Sequence, residues 1–510
     1  MIVNEEIKDL TVNGQPVLNE YGQCRRFICI SYVDEDEHVK YYTHVIPDDW
    51  MYQWKYAKRN DTPDPVFKSW DSKGVVKEPI YGNFTPSRMQ EIILDLQRLY
   101  PDDYALNMLD KLHIPKTAFV DIEVDVDDNG FPNAVDAKNT INAVSFVYGE
   151  DAYVLGLAPL TDKEIKWIED SVTEHCKNFD TKYKFHYRYH ANEESLLNDL
   201  LFNFMKGVDC ITGWNFFGYD WPYIYNRCKK YYPIIHDRMK EKGELSPTGS
   251  WYMYRPTSAV EKDDNIFLPT HKCMYDYMEI YKKWDRIIHP KESNKLDWVA
   301  ERCLGVKKVV HQLGFQEMWA QQKKEYVFYN AIDSILVREI DNKLKTSSAF
   351  FGLANIMHTP ALTAFSSTKS IEIVQAEYLY KEGKVFPSVK KPNVEKEDYE
   401  GAYVFDPIPG CYRNILTLDF ASLYPTTIRQ FNISPDTLLF KDVNYVSSEN
   451  DIKTANGCVY TKEFDGFIPK ILTDYYAKRK AYKKQMIEAQ TEKFHLEEIL
   501  ERRKKESKIA

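Results

Sequence analysis

Between Thr117 and Lys343 the chain alternates strand-like apolar runs (Ala118 to Val124, Ile141 to Tyr148, Tyr153 to Leu157) with amphipathic helical patterns such as Glu193 to Met205. Strands separated by helices bury their faces most simply as one sheet with helices packed on it. An α/β sheet domain is therefore expected over this span. The full length of 510 residues is too long for a single hydrophobic core and predicts roughly three or four domains. Before the sheet, residues 1–116 mix short apolar runs (Phe27 to Tyr32, Tyr41 to Ile46) with acidic turns and a helical pattern near Arg88 to Tyr100. After it, residues 344–390 begin helical and then open through Val385-Phe386-Pro387-Ser388, which reads as a return segment and linker. Strand character returns up to residue 468, and the charged run that follows Pro469 has no Gly or Pro to stop a helix.

Acidic residues recur at positions where the backbone aims them together. In Asp121-Ile122-Glu123 the two acids are two apart on a strand and share one face, where they repel unless a cation lies between them. In Trp214-Asn215-Phe216-Phe217-Gly218-Tyr219-Asp220-Trp221-Pro222 an apolar lead gives way to a turn, and Pro222 suits a first helical turn, so Asp220 is expected to cap or face out from a helix start. Tyr329 and Asp333 are four apart in the helical run Lys324 to Leu344 and share one side. Singly, each has a plain reading: a solvated strand end, a helix cap, surface decoration. Further on, Ile415-Leu416-Thr417-Leu418 reads as an apolar strand delivering Asp419, followed by the turn Ser422-Leu423-Tyr424 and a helix start at Pro425. A helix start after an acid suits a triphosphate and metal, because its first N–H groups lack partners.

Taken in order, Asp-x-Glu, Asn-x-x-x-Tyr-Asp and Tyr-x-x-x-Asp resemble the three exonuclease motifs of the DnaQ-like (RNase H-like) fold carried by B-family DNA polymerases. Asp-Phe-x-Ser-Leu-Tyr-Pro resembles that family's first polymerase motif, and the run Gly401 to Thr437 is similar to the replicative polymerases of T-even-type bacteriophages. The resemblance implies an α/β and α+β multidomain fold. Its expected parts are an amino-terminal domain (1–116), a 3′→5′ exonuclease domain (117–343), a return segment and linker (344–390), a partial palm (391–468) and the first part of the fingers (469–510). It also implies two Mg²⁺ ions per active site, with Mn²⁺ as a substitute. In the exonuclease, Asp121, Glu123, Asp220 and Asp333 are the implied metal ligands, Tyr329 orients the attacking water, and Asn215 supports the substrate strand or the site. In the polymerase site, Asp419 and the Phe420 carbonyl bind metal. The backbone of Ser422, Leu423 and Tyr424 cradles the triphosphate, and Arg479 and Lys483, four apart on the last helix, reach it. Tyr399 and Gly401, in Tyr399-Glu400-Gly401-Ala402, resemble the family's template-binding motif.

The likeness stops short of a whole enzyme. The family's second motif, Lys-x-x-x-Asn-Ser-x-Tyr-Gly, and its third, Asp-Thr-Asp, are absent from these residues. A split or truncated polymerase is therefore expected, in which synthesis needs a second polypeptide that also supplies the thumb and the contact to a sliding clamp. The implied substrates are primer-template DNA and deoxynucleoside triphosphates. The alternatives are a stand-alone metal-dependent 3′→5′ exonuclease and a silent DNA-binding subunit, and the intact carboxylate set disfavours the latter.

Composition narrows the setting. A net charge of −10 argues against coating DNA by bulk charge. Nine scattered cysteines without a Cys-x-x-Cys pair argue against a disulfide frame or a zinc ribbon. The amino terminus shows no signal-peptide core, and no apolar run approaches membrane length. A soluble protein of the cytoplasm, with no membrane partner, is expected.

Overall fold

The structure, a computed structural model, describes residues 1–12, 15–20, 22–80, 84–126, 132–256, 265–284, 293–306, 314–388 and 405–507. It is mixed α/β and divides into two compact units, Met1–Trp50 with Asp95–Ile371 and Met51–Leu94 with Glu372–Ala510.

In the first unit, β1 (Ile2–Asp9) pairs antiparallel with β2 (Arg26–Val33), and β2 with β3 (Val39–Val45). From Ile28 to Val33 every side chain of β2 is buried, which explains why this run is apolar at all positions but Ser31 where a half-exposed strand would alternate. The main sheet is built from β4 (Thr117–Val124), β5 (Ile141–Tyr148), β6 (Asp151–Gly156), β7 (Lys184–Tyr189) and β8 (Cys210–Gly213). After the hairpin of β9 (Trp251–Tyr254) and β10 (Ile266–Pro269), β11 (Cys273–Asp276) completes it. The order is β7-β6-β5-β4-β8-β11, with β5 antiparallel to both β4 and β6, β7 parallel to β6, and β4, β8 and β11 parallel.

Alternation along β4 feeds two cores. Phe119 joins a cluster with Val327, Ile332 and Leu336, whereas Val120 and Ile122 join one with Phe216, Trp221 and Ile224. The first cluster belongs to the long helix α3 (Lys323–Leu344), the second to α2 (Asp220–Tyr231). Earlier in the chain, α1 (Asp162–His175) starts on a reciprocal capping box between Thr161 and Glu164. The amphipathic run expected as one helix from Glu193 is α-helical to Asp199 and continues as a π-helix over Leu200–Met205.

In the second unit, the antiparallel strands Tyr52–Tyr56 and Val75–Pro79 bury Tyr52, Trp54 and Val75 against Tyr380 and Val385. The Trp54 indole N–H donates to Glu91 Oε2 at 2.9 Å, which satisfies the one polar atom of that buried ring. A second small sheet runs β12 (Leu438–Lys441), β14 (Cys458–Thr461), β13 (Asp451–Lys453) in space. Helix α4 (Leu423–Gln430) precedes it, and α5 (Phe467–Ser507) follows as the single long helix that the charged run predicts.

One local expectation is corrected. Ile415-Leu416-Thr417-Leu418 forms no strand, and Leu416 and Leu418 are 82% and 84% exposed. A strand needs a neighbour for its backbone groups, and among the described residues none pairs with this segment. No helix among the described residues is long and apolar enough to cross a membrane.

Candidate metal-carboxylate site

The even spacing that sends Phe119 toward α3 sends Asp121 and Glu123 the same way. From α3, Tyr329 and Asp333 meet them, both only 5% exposed. Oxygen atoms of Asp121, Glu123 and Asp333 lie within 4.8 Å of one another. Two unit charges that close repel by about 3 kcal/mol at an effective dielectric constant of about 20, so three together favour a bound cation or a retained proton.

Asp220 reaches the same place by a different route. It is the first residue of α2, and it neither caps that helix nor faces solvent, as its position before Pro222 suggested. Strand β8 pairs with β4 only as far as Phe119, and the N–H of Ile122 beyond that point is taken by Asp220 Oδ1 at 3.0 Å. Burial, and next the charge of Asp121, push the Asp220 carboxyl well above the usual carboxylate range. The Tyr329 phenol is likewise pushed up, by burial first and then by Asp333, Glu123 and Asp121, so its hydroxyl keeps its proton as a donor.

Neighbouring polar groups fix these acids. Asn330 Nδ2 donates to Asp121 Oδ2 at 2.9 Å, and the hydroxyls of Ser145 and Ser334 lie 2.7 Å apart beside the Asp121 backbone. The turn from β8 to α2 is tightly packed. Asn215 sits at φ +62° and its carbonyl accepts the N–H groups of Gly218 and Tyr219. A Cβ on Gly213 would lie 2.3 Å from the Val120 carbonyl oxygen, and one on Gly218 would lie 2.3 Å from Asn215 Oδ1. The Gly213 contact is with backbone and requires glycine, whereas the Gly218 contact is with the Asn215 side chain, which would have to shift.

Sequence reasoning missed Asp276, the fully buried last residue of β11. Its Oδ2 accepts the Phe217 N–H at 2.9 Å and its Oδ1 the Glu279 N–H at 3.3 Å, bracing the turn that presents Asn215 and Asp220. Burial pushes its carboxyl up to about 7. An acid ending an apolar strand, as in Cys273-Met274-Tyr275-Asp276, was the available signal.

The residues expected at the second site are not gathered in this way. Asp419 and Phe420 are exposed, and no three-ligand group among the described residues includes Asp419. Ser422, at φ +54°, leads into α4, which carries Leu423 and Tyr424 on its exposed first turn. Helix α4 meets α5 through Arg429, 5.3 Å from the Tyr476 ring centre, while Arg479 and Lys483 are exposed on α5. Tyr399 and Gly401 lie outside the described residues.

Comparison with known proteins adds an independent line. The family "DNA polymerase family B, exonuclease domain" matches residues 86–297, which include Asp121, Glu123 and Asp220, and "DNA polymerase family B" matches residues 359–510. Tyr329 and Asp333 lie between the two matched spans. The DNA-directed DNA polymerase of Escherichia phage RB69 is 30% identical over 403 residues, 74% of this chain and 43% of that protein. The DNA-directed DNA polymerase of Enterobacteria phage T4 is 29% identical over 286 residues, 54% of this chain and 31% of that protein. The DNA polymerase delta catalytic subunit of Caenorhabditis elegans is 29% identical over 310 residues, 58% of this chain and 28% of that protein. The chain thus spans less than half the length of these relatives.

Proposed function

Because this chain belongs to the family B DNA polymerases, we propose that its first unit carries a DnaQ-like 3′→5′ exonuclease that hydrolyses single-stranded DNA, and that its second unit carries the start of a polymerase palm and fingers. The observation that supports this most is the convergence of Asp121, Glu123 and Asp333 on one point at the sheet surface, with Asp220 locked beside Asp121. The sheet order, with three antiparallel strands followed by two parallel ones, agrees with the same reading. We take residues 117–343 as the exonuclease domain, 391–468 as the partial palm and 469–510 as the first part of the fingers.

The donor set suits hard divalent cations such as Mg²⁺ or Mn²⁺, since the oxygens are carboxylate and no thiol or imidazole joins them. When bound, a pair of such ions stabilises the attacking and leaving oxygens of a phosphodiester. The protein's own groups do the rest. Asp121 and Glu123 are fixed by the strand, Asp220 by the Ile122 N–H, and Asp333 by α3. Tyr329, kept protonated, donates its hydroxyl proton to orient the attacking water. Asn215, held by the Gly218 turn, supports the substrate strand.

For the second unit we assign Asp419 and the Phe420 carbonyl to metal, and Ser422, Leu423, Tyr424, Arg479 and Lys483 to the incoming triphosphate. The Tyr424 ring would lie under the sugar, where it excludes a 2′-hydroxyl. Tyr399 and Gly401 are assigned to the template strand. Synthesis would need a further carboxylate from outside residues 1–510. A second reading, hydrolysis without synthesis, is favoured by the exposure of Asp419.

The test is digestion of single-stranded DNA in Mg²⁺ or Mn²⁺ by the chain and by its Asp121→Ala, Glu123→Ala double variant. The parent should shorten DNA and the variant should lose roughly 10³-fold in rate, equivalent to about 4 kcal/mol. Equal rates would remove these acids from the reaction.

A further inference from the structure

A second group of metal-ligating side chains lies in the first unit and has no part in the reaction above. In the β1–β2 pair, Glu6 is directly opposite Cys29, so their side chains leave the sheet on the same face. Ser31, two residues along from Cys29, shares that face. The turn between β10 and β11 lays His271, at φ +64° and 2% exposed, over it. His271 Nε2 is 3.0 Å from Glu6 Oε1, its Nδ1 is 3.0 Å from Ser31 Oγ, and the Cys29 sulfur completes a trio of ligand atoms within 4.8 Å of one another.

We propose that Glu6, Cys29 and His271 form a binding site for one zinc(II) ion, separate from the carboxylate site. The chemistry of the set selects the ion. A thiol, an imidazole and one carboxylate match the mixed nitrogen, sulfur and oxygen ligands of zinc, and a thiol is a poor partner for Mg²⁺ or Ca²⁺. Ligands of one tetrahedral zinc lie roughly 3.3–3.8 Å apart, so the 3.0 Å pair of Glu6 and His271 must open slightly and a separation of up to 4.8 Å must close. The surrounding groups have the form of a second layer of support. Ser31 fixes the far nitrogen of the imidazole, and Thr248 and Ser250 hydrogen-bond the Glu6 carboxylate.

A cavity lies beside the trio. About 400 Å³ in volume, it is walled by Lys8, Thr43 and Thr248 among others. Thr43 is directly opposite Cys29 in the β2–β3 pair, Lys8 is two residues from Glu6, and Thr248 bonds Glu6, so the cavity adjoins the trio. The fourth zinc position would take water. Binding replaces the Cys29 sulfur–hydrogen bond with a sulfur–zinc bond and that proton leaves to solvent, while His271 gives up the Nε2 proton it shares with Glu6 and keeps a proton on Nδ1, facing Ser31. The plainer alternative is that Glu6 and His271 simply hydrogen-bond each other, tying the β1–β2–β3 sheet to the turn before β11. It predicts no role for the thiol.

The experiment uses the full chain carrying Asp121→Asn and Asp333→Asn, so that the carboxylate site does not contribute metal. The chelator-stripped protein is loaded with one equivalent of zinc(II), gel-filtered and analysed for metal, and in parallel is titrated with cobalt(II). One retained zinc per chain, with a thiolate-to-cobalt charge-transfer band that is lost in Cys29→Ser, is the expected result. His271→Gln should weaken zinc binding at least tenfold. Failure of the folded background protein to retain zinc, absence of the band, or a band undiminished in Cys29→Ser would overturn the site. None of these outcomes depends on whether the chain hydrolyses DNA.

Discussion

Asp220 Oδ1 accepts the backbone N–H of Ile122 at 3.0 Å, which ties an acid from a helix start to the residue between two acids of a strand nearly a hundred residues earlier. That single bond satisfies a buried donor that strand β8 is too short to reach, and it sets the position of one member of the proposed metal set. Structure and charge are therefore separable at Asp220. Asp220→Asn keeps an acceptor for Ile122 and removes a carboxyl group that can bind metal, so unfolding free energy should hold within about 1 kcal/mol while hydrolysis falls roughly 10³-fold. Chemical denaturation and a rate assay on the same preparation check both halves.

Gly213 controls how closely β8 approaches β4. A methyl group there meets the Val120 carbonyl oxygen at 2.3 Å, and that oxygen belongs to the central strand and cannot move independently. Gly213→Ala should cost about 1–3 kcal/mol in stability and weaken hydrolysis, because it pushes the Asn215–Asp220 turn away from Asp121. Gly149, at φ +61° with nothing near its Cβ position, provides a control in which only backbone strain is added.

The buried pair Glu193–Arg227 holds the segment that enters β5. Arg227 donates to both Glu193 oxygens and to the carbonyls of Ala137 and Lys138, while Glu193 also accepts the Ile141 N–H and the Tyr232 hydroxyl. Arg227→Leu leaves a carboxylate stranded in the interior and should cost about 3–5 kcal/mol. Adding Glu193→Gln should recover part of that loss, a non-additivity that a double-mutant cycle in denaturant measures directly.

Asp276 makes the stability depend on pH. Its carboxyl is raised from 3.8 to about 7 in the folded protein by burial, so between those values the native state holds a proton that the unfolded chain has released. Stability from this group is therefore greatest below pH 4, declines as pH rises toward 7, and is flat above, with a total of a few kcal/mol at most. Asp276→Asn should flatten the stability profile between about pH 4 and 7 relative to the parent, measured as unfolding free energy against pH.

Much of the first unit was legible because its signals are local. The apolar run of β5 and the four-residue spacing of Tyr329 and Asp333 each follow from one element's geometry. Asp220 was found by its motif, but its destination was misjudged, because whether a helix-start acid caps its own helix or turns to another strand is a tertiary matter. Asp276 was missed for the same reason, since a lone acid after an apolar strand becomes informative only when the Phe217 N–H arrives beside it. At Ile415-Leu416-Thr417-Leu418 the error ran the other way. The composition suits a strand, but a strand exists only with a partner.

The central claim is that the acids at Asp121, Glu123, Asp220 and Asp333 remove nucleotides from 3′ ends. The most direct measurement is a time course with one single-stranded oligonucleotide labelled in turn at its 5′ and 3′ ends, in Mg²⁺, with the chain and with its Asp333→Asn variant. The account predicts a descending ladder from the 5′ label, immediate release of mononucleotide from the 3′ label, and neither with the variant. Mononucleotide released first from the 5′ label, or an Asp333→Asn protein as active as the parent, would contradict it.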